Sequence, residues 1–190
     1  MVNTYQLVNP QIEGKFKNKI KSQNSKEAAN AFYKGLSEHF NNSVPTFYFT
    51  IQKGSSGSGK YFHFKVNEKR NDDEVKFTIK SVNLKNETEV LEKFRNRLDN
   101  FKAKQAGGKK KSKKSRKHKD SDDSSDSSDL DDSSESEYIY KRANKYSVTQ
   151  PFNYWWYDPY LYGLNSVYIP TFYSYTTPYV ELALDAIILP

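Results

Sequence analysis

The sequence contains no cysteine, which excludes disulfide bonds, cysteine–zinc sites and thiol catalysis. Its three histidines, His39, His63 and His118, are too scattered along the chain to indicate a metal site. It has no apolar run of about 18 residues, the length that a transmembrane helix needs. The first residues also lack the apolar core of a secretory signal peptide, so we expect a protein that is not secreted. We further expect no metal, no cofactor and no membrane partner.

The charges are concentrated in two adjacent runs. The 190 residues carry a formal net charge of +7. Residues 109–119 hold eight Lys or Arg and no acid, whereas residues 120–137 hold nine acids and no base. Such runs do not bury and are typical of solvated, extended chain. The composition therefore predicts three regions, which are a small domain at 1–104, a disordered basic-then-acidic linker at 105–137, and a Tyr/Trp-rich extended or β segment at 138–190.

Alternating apolar and polar residues predict several short strands in the first hundred residues. The predicted strands lie at residues 12–21, 46–52, 61–66 and 75–80, with a further strand at Tyr5–Val8. Apolar residues at helical spacing predict two helices, one capped by Asn24 with Glu27 three positions later, the other starting near Asn86. The segments GSSGSG and NEKRNDD are predicted to be hairpin loops. The predicted fold class is α+β, a small antiparallel sheet with one or two packed helices in the order β-α-β-β-β-α.

The segment Gly54–Lys60 matches the spacing GxxxxGK of a phosphate-binding loop. The next residue is Tyr61, where such a loop needs a Ser or Thr hydroxyl for magnesium. The segment also leads into a predicted strand, whereas phosphate binding needs the N-terminus of a helix. We interpret the segment as a flexible hairpin loop, and no small-molecule substrate is evident from the sequence.

The polar side of the first predicted strand is basic, because it carries Lys15, Lys17, Lys19 and Lys21. If one face of the sheet is open, further cations and aromatic rings join this surface, namely Lys65, Lys76, Lys80, Tyr48 and Tyr61. A sheet face that presents aromatics and cations can stack bases and neutralise phosphates. The alternative is an ordinary solvated face, on which lysines discourage edge pairing.

The basic run KKKSKKSRKHK is the strongest electrostatic signal in the sequence. Such a run can contact phosphates without sequence preference or serve as a nuclear import signal. The alternative is a solubilising linker whose charge is masked by the neighbouring acidic run. The candidate nucleic-acid-binding residues are Lys15, Lys17, Lys19, Lys109, Lys110, Lys111, Lys113, Lys114, Arg116, Lys117 and Lys119.

Eight serines stand among the acids of residues 120–137, as in substrates of acid-directed kinases. Each phosphate would add roughly −1.5 to −2 charges and would strengthen the masking of the basic run. The candidate phosphorylation sites are Ser124, Ser125, Ser127 and Ser128.

The C-terminal segment is unusually aromatic, since 15 of the 29 aromatic residues, including both tryptophans, lie in residues 138–190. It is too short to build a core of its own, and Tyr and Trp are the usual anchors of interfaces. It either docks on residues 1–102 or binds another protein by strand addition, and we favour a partner or self-assembly. The candidate partner-binding residues are Trp155, Trp156, Tyr160, Tyr162, Tyr168, Phe172 and Tyr179.

Two groups of short motifs resemble proteins of nucleocytoplasmic large DNA viruses of the mimivirus type. The first group is NPQIEGKF, SKEAANAFYKGLSEHF with the NN that follows, and VPTFYFTIQK. The second is SVYIPTF, at residues 166–172, and TPYVE, at residues 177–181. The resemblance covers both apolar regions and not the linker. It implies an uncharacterised virion-associated or structural protein, and it carries no catalytic motif with it.

The sequence shows no clustered acid and base, nucleophile or metal constellation, so we expect a protein that is not an enzyme. The leading hypothesis is a non-enzymatic virion component that its aromatic tail anchors to other virion proteins or to copies of itself. The alternative hypothesis is a nucleic-acid-binding regulatory protein that uses the lysine-bearing strand face and residues 109–119. Either function places the protein in the virion and, during infection, in the viral factory of the host cytoplasm or in the nucleus.

Overall fold

The computed structural model describes residues 2–14, 16–54, 59–71, 74–105, 136–141, 152–171 and 179–180. These residues form two compact units, one made of the described residues up to Leu84 together with those from 136 onward, the other made of residues 85–105. This grouping differs from the predicted regions, because C-terminal strands pair with strands of the first unit. Residues 106–135, which include most of the predicted linker, lie outside the described part of the chain.

The first unit is built on two sheets. Its strands are β1 (Asn3–Asn9), β2 (Gln11–Gly14), β3 (Lys19–Ser22), β4 (Thr46–Lys53), β5 (Tyr61–Asn71), β6 (Glu74–Val82), β7 (Ser136–Lys141), β8 (Phe152–Tyr157) and β9 (Tyr179–Val180). Within the described residues the larger sheet has six strands in the order β3-β1-β4-β5-β6-β7, all antiparallel to their neighbours. The smaller sheet has the order β2-β8-β9.

One face of the larger sheet, here called the inner face, packs against helix α1 (Ser25–Ser37). The helix begins where the sequence predicts it, because the Asn24 side chain accepts a hydrogen bond from the Glu27 N–H at 2.8 Å. Its apolar stripe joins the inner-face side chains of β1, β4, β5 and β6 in one core. The prediction of an α+β fold with an antiparallel sheet is therefore confirmed. The opposite face of the larger sheet is here called the outer face.

The prediction of one strand over residues 12–21 is wrong. Residues 11–14 form β2 of the smaller sheet and residues 19–22 form β3 at an edge of the larger one. Strand β2 ends at Gly14, whose φ of 129° lies in a region that residues with a side chain rarely adopt. As a result, Lys19 and Lys21 share one side of β3, whereas Lys17 lies between the two strands.

The prediction that NEKRNDD is a loop is also wrong for most of its length. Strand β5 continues to Asn71, and the connection to β6 is only two residues long. The period-2 alternation of burial continues through the polar residues, with Glu68 buried between exposed Asn67 and Lys69. Polar side chains thus occupy core positions of this strand.

The segment 54–60 is a hairpin connection, as the sequence predicts. The Lys53 N–H donates to the Lys60 carbonyl at 2.9 Å, and β5 follows at once. No helix N-terminus follows the glycines at this point, so the arrangement that a phosphate-binding loop requires is not formed here. Residues 55–58 lie outside the described part of the chain.

The second unit contains helix α2 (Glu87–Gln105), which begins beside Asn86 as predicted. Leu91, Phe94 and Leu98 recur at helical spacing along it. On its solvent side Lys93 and Glu89 form an i, i+4 ion pair with an N–O distance of 2.6 Å, which lowers the pKa of Glu89. Lys102 and Lys104 lie in its last turn, where cations suit the helix dipole.

Candidate nucleic-acid interface

The outer face of β5, β6 and β7 is rich in lysine. Strand periodicity and register place five lysines and two glutamates on it, namely Lys65, Lys69, Lys76, Lys80, Lys141, Glu74 and Glu137. Lys76 and Glu74 form a loose ion pair at 3.6 Å, with both side chains about half exposed. The remaining excess of positive charge is presented to solvent on a rigid strand surface.

Lysines on this face stand directly opposite one another across two adjacent strands. Lys65 pairs with Lys80 and Lys69 pairs with Lys76 in the β5–β6 register. Like charges at directly opposed positions destabilise a sheet. We call these four residues the lysine face. An anionic partner bound between these lysines would attract all of them and offset their mutual repulsion, which makes the lysine face a candidate interface.

An aromatic ring adjoins the lysine face at β4. The Tyr48 side chain lies across from Lys65 in the β4–β5 register, and the Lys65 ammonium is 5.8 Å from the centre of the Tyr48 ring. This distance is within the range of a cation–π contact. Lysine and tyrosine are therefore adjacent on the outer face, where the sequence places both residues if that face is open.

The described C-terminal residues from β8 to Tyr162 pack against β2 and against β4 near Tyr48 and Thr50. Strand β8 pairs with β2 and inserts Trp155 into the core beside Phe40 and Phe47, with ring centres 6.2 and 6.3 Å away. Trp155 and Trp156 are both fully buried. The Tyr157 hydroxyl donates to the Tyr48 carbonyl at 3.0 Å. The segment thus forms part of the folded unit.

A short 3-10 helix (Pro159–Tyr162) follows β8 and brings Tyr162 over the outer face. The Tyr162 hydroxyl lies 2.9 Å from the Thr50 hydroxyl and accepts a hydrogen bond from the Asn9 amide at 3.0 Å. Asn9 also receives the Asp158 N–H at 3.0 Å, and Thr50 contacts His63 Nδ1 at 2.8 Å. Burial raises the pKa of Tyr162, so its hydroxyl remains a neutral hydrogen-bonding group.

The described segment ends in a backbone attachment to the loop after α1. The Asn41 N–H donates to the Thr171 carbonyl at 2.8 Å, and the Thr171 N–H donates to the Asn42 side chain at 2.9 Å. The Asn42 amide also donates to the Ile169 carbonyl at 2.9 Å. These bonds anchor residues 169–171 to the loop after α1.

A small cavity lies between β4 and this segment. Its volume is about 230 Å³, and its walls include Thr46, Tyr48, Tyr157, Ser166, Val167 and Tyr168. Tyr168 is 55% exposed, and Tyr48 separates the cavity from Lys65. The cavity is therefore lined by aromatic rings, the aliphatic side chains of Leu164 and Val167, and hydroxyl groups, next to the lysine face.

Beneath the inner face lies a buried charge cluster that sequence reasoning missed. The Tyr33 and Ser37 hydroxyls donate to Glu68 at 2.9 and 2.6 Å. Arg70 lies 3.0 Å from the other Glu68 oxygen and donates to the Phe40 carbonyl at 2.8 Å. Burial, with the Glu68 charge next in size, raises the pKa of Tyr33, which keeps that hydroxyl protonated as a donor. The alternation of inward and outward positions in β5, continued past Val66, would have indicated that Glu68 and Arg70 face the interior.

Some of the predicted site residues lie in the described part of the chain and others lie outside it. Lys17 and Lys19 are exposed, and Lys19 lies on the outer face but is separated from the lysine face by β1 and β4. Lys15, Phe172, the basic run 109–119 and the four candidate phosphoserines lie outside the described residues, and for Tyr179 the structure describes the backbone alone. Lys69, which the sequence placed in a loop, belongs to the lysine face.

The predicted partner-binding residues are divided between interior and surface. Trp155 and Trp156, which the sequence makes candidate partner-binding residues, lie in the interior of this unit. Tyr162 is half-buried in the contact with Thr50. Tyr160 and Tyr168 are exposed. For residues 155–162 the structure shows docking on the chain's own sheet, which is the other of the two alternatives, and binding of a partner stays a prediction.

No three His, Cys, Asp or Glu side chains among the described residues are grouped as a metal site would require. No helix in the described part of the chain has the length and apolarity to cross a membrane.

The fold and its outer face define an α+β protein with a cationic sheet surface. The chain is 32% identical over 107 residues to an uncharacterised protein of Acanthamoeba polyphaga mimivirus. The match covers 56% of this chain and 59% of that protein, so the chain spans little more than half of the relative's length. This similarity indicates a viral origin of the mimivirus type. No family model and no solved structure matches the chain.

Proposed function

We propose that the protein is a non-enzymatic nucleic-acid-binding protein of a mimivirus-like virus, and that it contacts phosphates through the lysine face. The observation that carries the proposal is the direct opposition of Lys65 with Lys80 and of Lys69 with Lys76. A fold that holds like charges together loses stability unless an anionic partner offsets the repulsion. A nucleic acid supplies a regular row of such anions.

The basic run at 109–119 adds a second, sequence-independent attraction for phosphates in this proposal. The acidic run beside it competes for the same cations. The outer face of β5, β6 and β7 carries five lysines and two glutamates, Glu74 and Glu137, among its described residues. We therefore assign the main contact to the sheet and an auxiliary role to the run.

A titration with a fluorescent single-stranded DNA of about 20 nucleotides tests this proposal. The full chain is compared with a variant in which the lysine face is neutralised, K65Q/K69Q/K76Q/K80Q. Each neutralised phosphate of a single strand contributes about −0.7 to the slope of log affinity against log salt. We expect weaker binding of the variant and a slope less steep by up to about 3.

The matched control removes the same charge from four exposed lysines at α2, K85Q/K93Q/K102Q/K104Q. It should keep most of the affinity and slope of the unaltered chain. Equal losses in the two variants would mean that only net charge matters, which would contradict a defined interface on the sheet.

We also propose that the protein is a component of the virus particle or its core. Tyr160, Tyr168 and Ile169 favour this role, because they leave exposed apolar surface on the docked C-terminal segment. Such a component should be abundant in purified particles, and absence from them would reject this second role without affecting the first.

A further inference from the structure

We infer that the cavity between β4 and the C-terminal segment is a binding site for one unstacked nucleobase of a single strand whose phosphates lie along the lysine face. This inference rests on the proposed nucleic-acid binding and adds a preference for single strands over duplexes. It is carried by the position, size and lining of the cavity.

The position of the cavity suits a base attached to a bound backbone. Tyr48 forms a wall of the cavity and at the same time contacts the Lys65 ammonium at 5.8 Å. A phosphate bound at Lys65 therefore lies one side chain away from the cavity. The neighbouring base of the same strand can turn into the cavity while the next phosphates follow Lys69 and Lys76.

The size of the cavity limits what it can hold. Its volume of about 230 Å³ is below the about 300–1,000 Å³ of sites for drug-sized ligands. A whole nucleotide cofactor is therefore too large for it, whereas a single planar ring system is of the right order. The adjacent lysines then bind the sugar-phosphate part outside the cavity.

The lining matches the chemistry of a base. Tyr168, which is 55% exposed, supplies an aromatic face for stacking, which tolerates every base because each has a π-face, while Tyr48 and Tyr157 contribute aromatic atoms to the walls. Thr46 and Ser166 add hydroxyl groups, each of which can donate and accept at the polar edge of a base. Bases in a duplex are already stacked and paired, so only a single strand offers one to the cavity at low cost.

The docked segment completes this site. Tyr168 and Val167 reach the cavity because the bonds from Asn41 and Asn42 hold residues 169–171 in place. The aromatic C-terminal segment, which the lysine-face proposal leaves without a role in nucleic-acid binding, thus supplies one wall of the site.

The test compares three probes of equal length with the full chain, at one salt concentration and by fluorescence anisotropy. The probes are a thymidine oligomer, the same oligomer without bases, and a duplex. The variants are Y168A, which removes a cavity wall, and Y160A, a matched control at an exposed tyrosine outside the cavity. A third variant, Y168F, keeps the aromatic ring.

We expect Y168A to bind the thymidine oligomer about 5- to 150-fold more weakly, the range for loss of stacking on one base. Binding of the abasic oligomer and the duplex should change less than twofold, and Y160A and Y168F should resemble the unaltered chain. The salt slope should stay constant in Y168A, because stacking releases no counterions.

Two results would overturn the inference. Equal affinity of the unaltered chain for the thymidine and abasic oligomers would remove the base site while leaving the lysine-face proposal intact. Equal weakening of all three probes in Y168A would have the same consequence. Failure of the unaltered chain to bind any probe would instead reject the proposed function and the base site together.

Discussion

Replacement of Arg70 by alanine is expected to destabilise the first unit by about 3–5 kcal/mol, the range for removing one partner of a buried ion pair. The Glu68 side chain is 0% exposed and that of Arg70 is 9% exposed. Without the guanidinium, the carboxylate would remain in the interior with only the Tyr33 and Ser37 hydroxyls for stabilisation. The measurement is urea denaturation followed by circular dichroism.

The control is the double variant E68Q/R70A. Glutamine keeps an acceptor for the two hydroxyls but carries no charge, so the double variant should be more stable than R70A. A loss below about 1 kcal/mol in R70A would be typical of a solvent-screened pair, and it would contradict the buried position of this cluster.

Replacement of Trp155 by alanine is expected to destabilise the same unit by about 3–5 kcal/mol, as for other large aromatic residues in cores. The ring is fully buried beside Phe40 and Phe47, and its removal leaves a cavity that the sheet cannot fill. Since native domains have a stability of about 5–15 kcal/mol, this is a large share of the total. Urea denaturation monitored by circular dichroism measures the change in the free energy of unfolding.

The matched control is Y160A, at a residue five positions later that is 40% exposed. It should change stability by no more than about 0.5 kcal/mol. An equally small effect of W155A would mean that the aromatic segment does not dock on the sheet and is free to bind a partner. The two tryptophans are the only ones in the chain, so their fluorescence reports directly on whether the segment is buried.

The local spacing of apolar residues was sufficient to predict the strands and the helix that are formed by continuous stretches of the first hundred residues. Strands β4, β5 and β6 and helix α1 all appear near their predicted positions, because alternation and helical spacing reflect one-sided burial. The Asn24 cap was also predictable, since it depends on residues three positions apart.

Pairings between distant segments were not predictable. Strand β7 follows β6 in the sheet although more than fifty residues separate them, and β8 pairs with β2 near the start of the chain. Strand periodicity shows that a segment has an apolar side, but not which edge will receive it. For that reason the sequence favoured a partner for Trp155 and Trp156, whereas the fold buries both.

The candidate site was predicted in part. Lys65, Lys76 and Tyr48 were expected on an open face, and the register places them there. Lys69 was missed because its polar neighbourhood resembled a loop, and the buried Glu68 that continues the strand was missed for the same reason. The cavity depends on residues 166–168 crossing β4, a contact that no local pattern contains.

Photo-cross-linking of the full chain to a single-stranded DNA, with the attached peptides identified by mass spectrometry, tests the claim that the folded sheet binds nucleic acid. We predict cross-links within residues 46–82, which hold the lysine face and Tyr48, in addition to any at the basic run. Cross-links confined to residues 105–137 would contradict the claim, because they would show that the charged run binds the nucleic acid and the folded sheet does not.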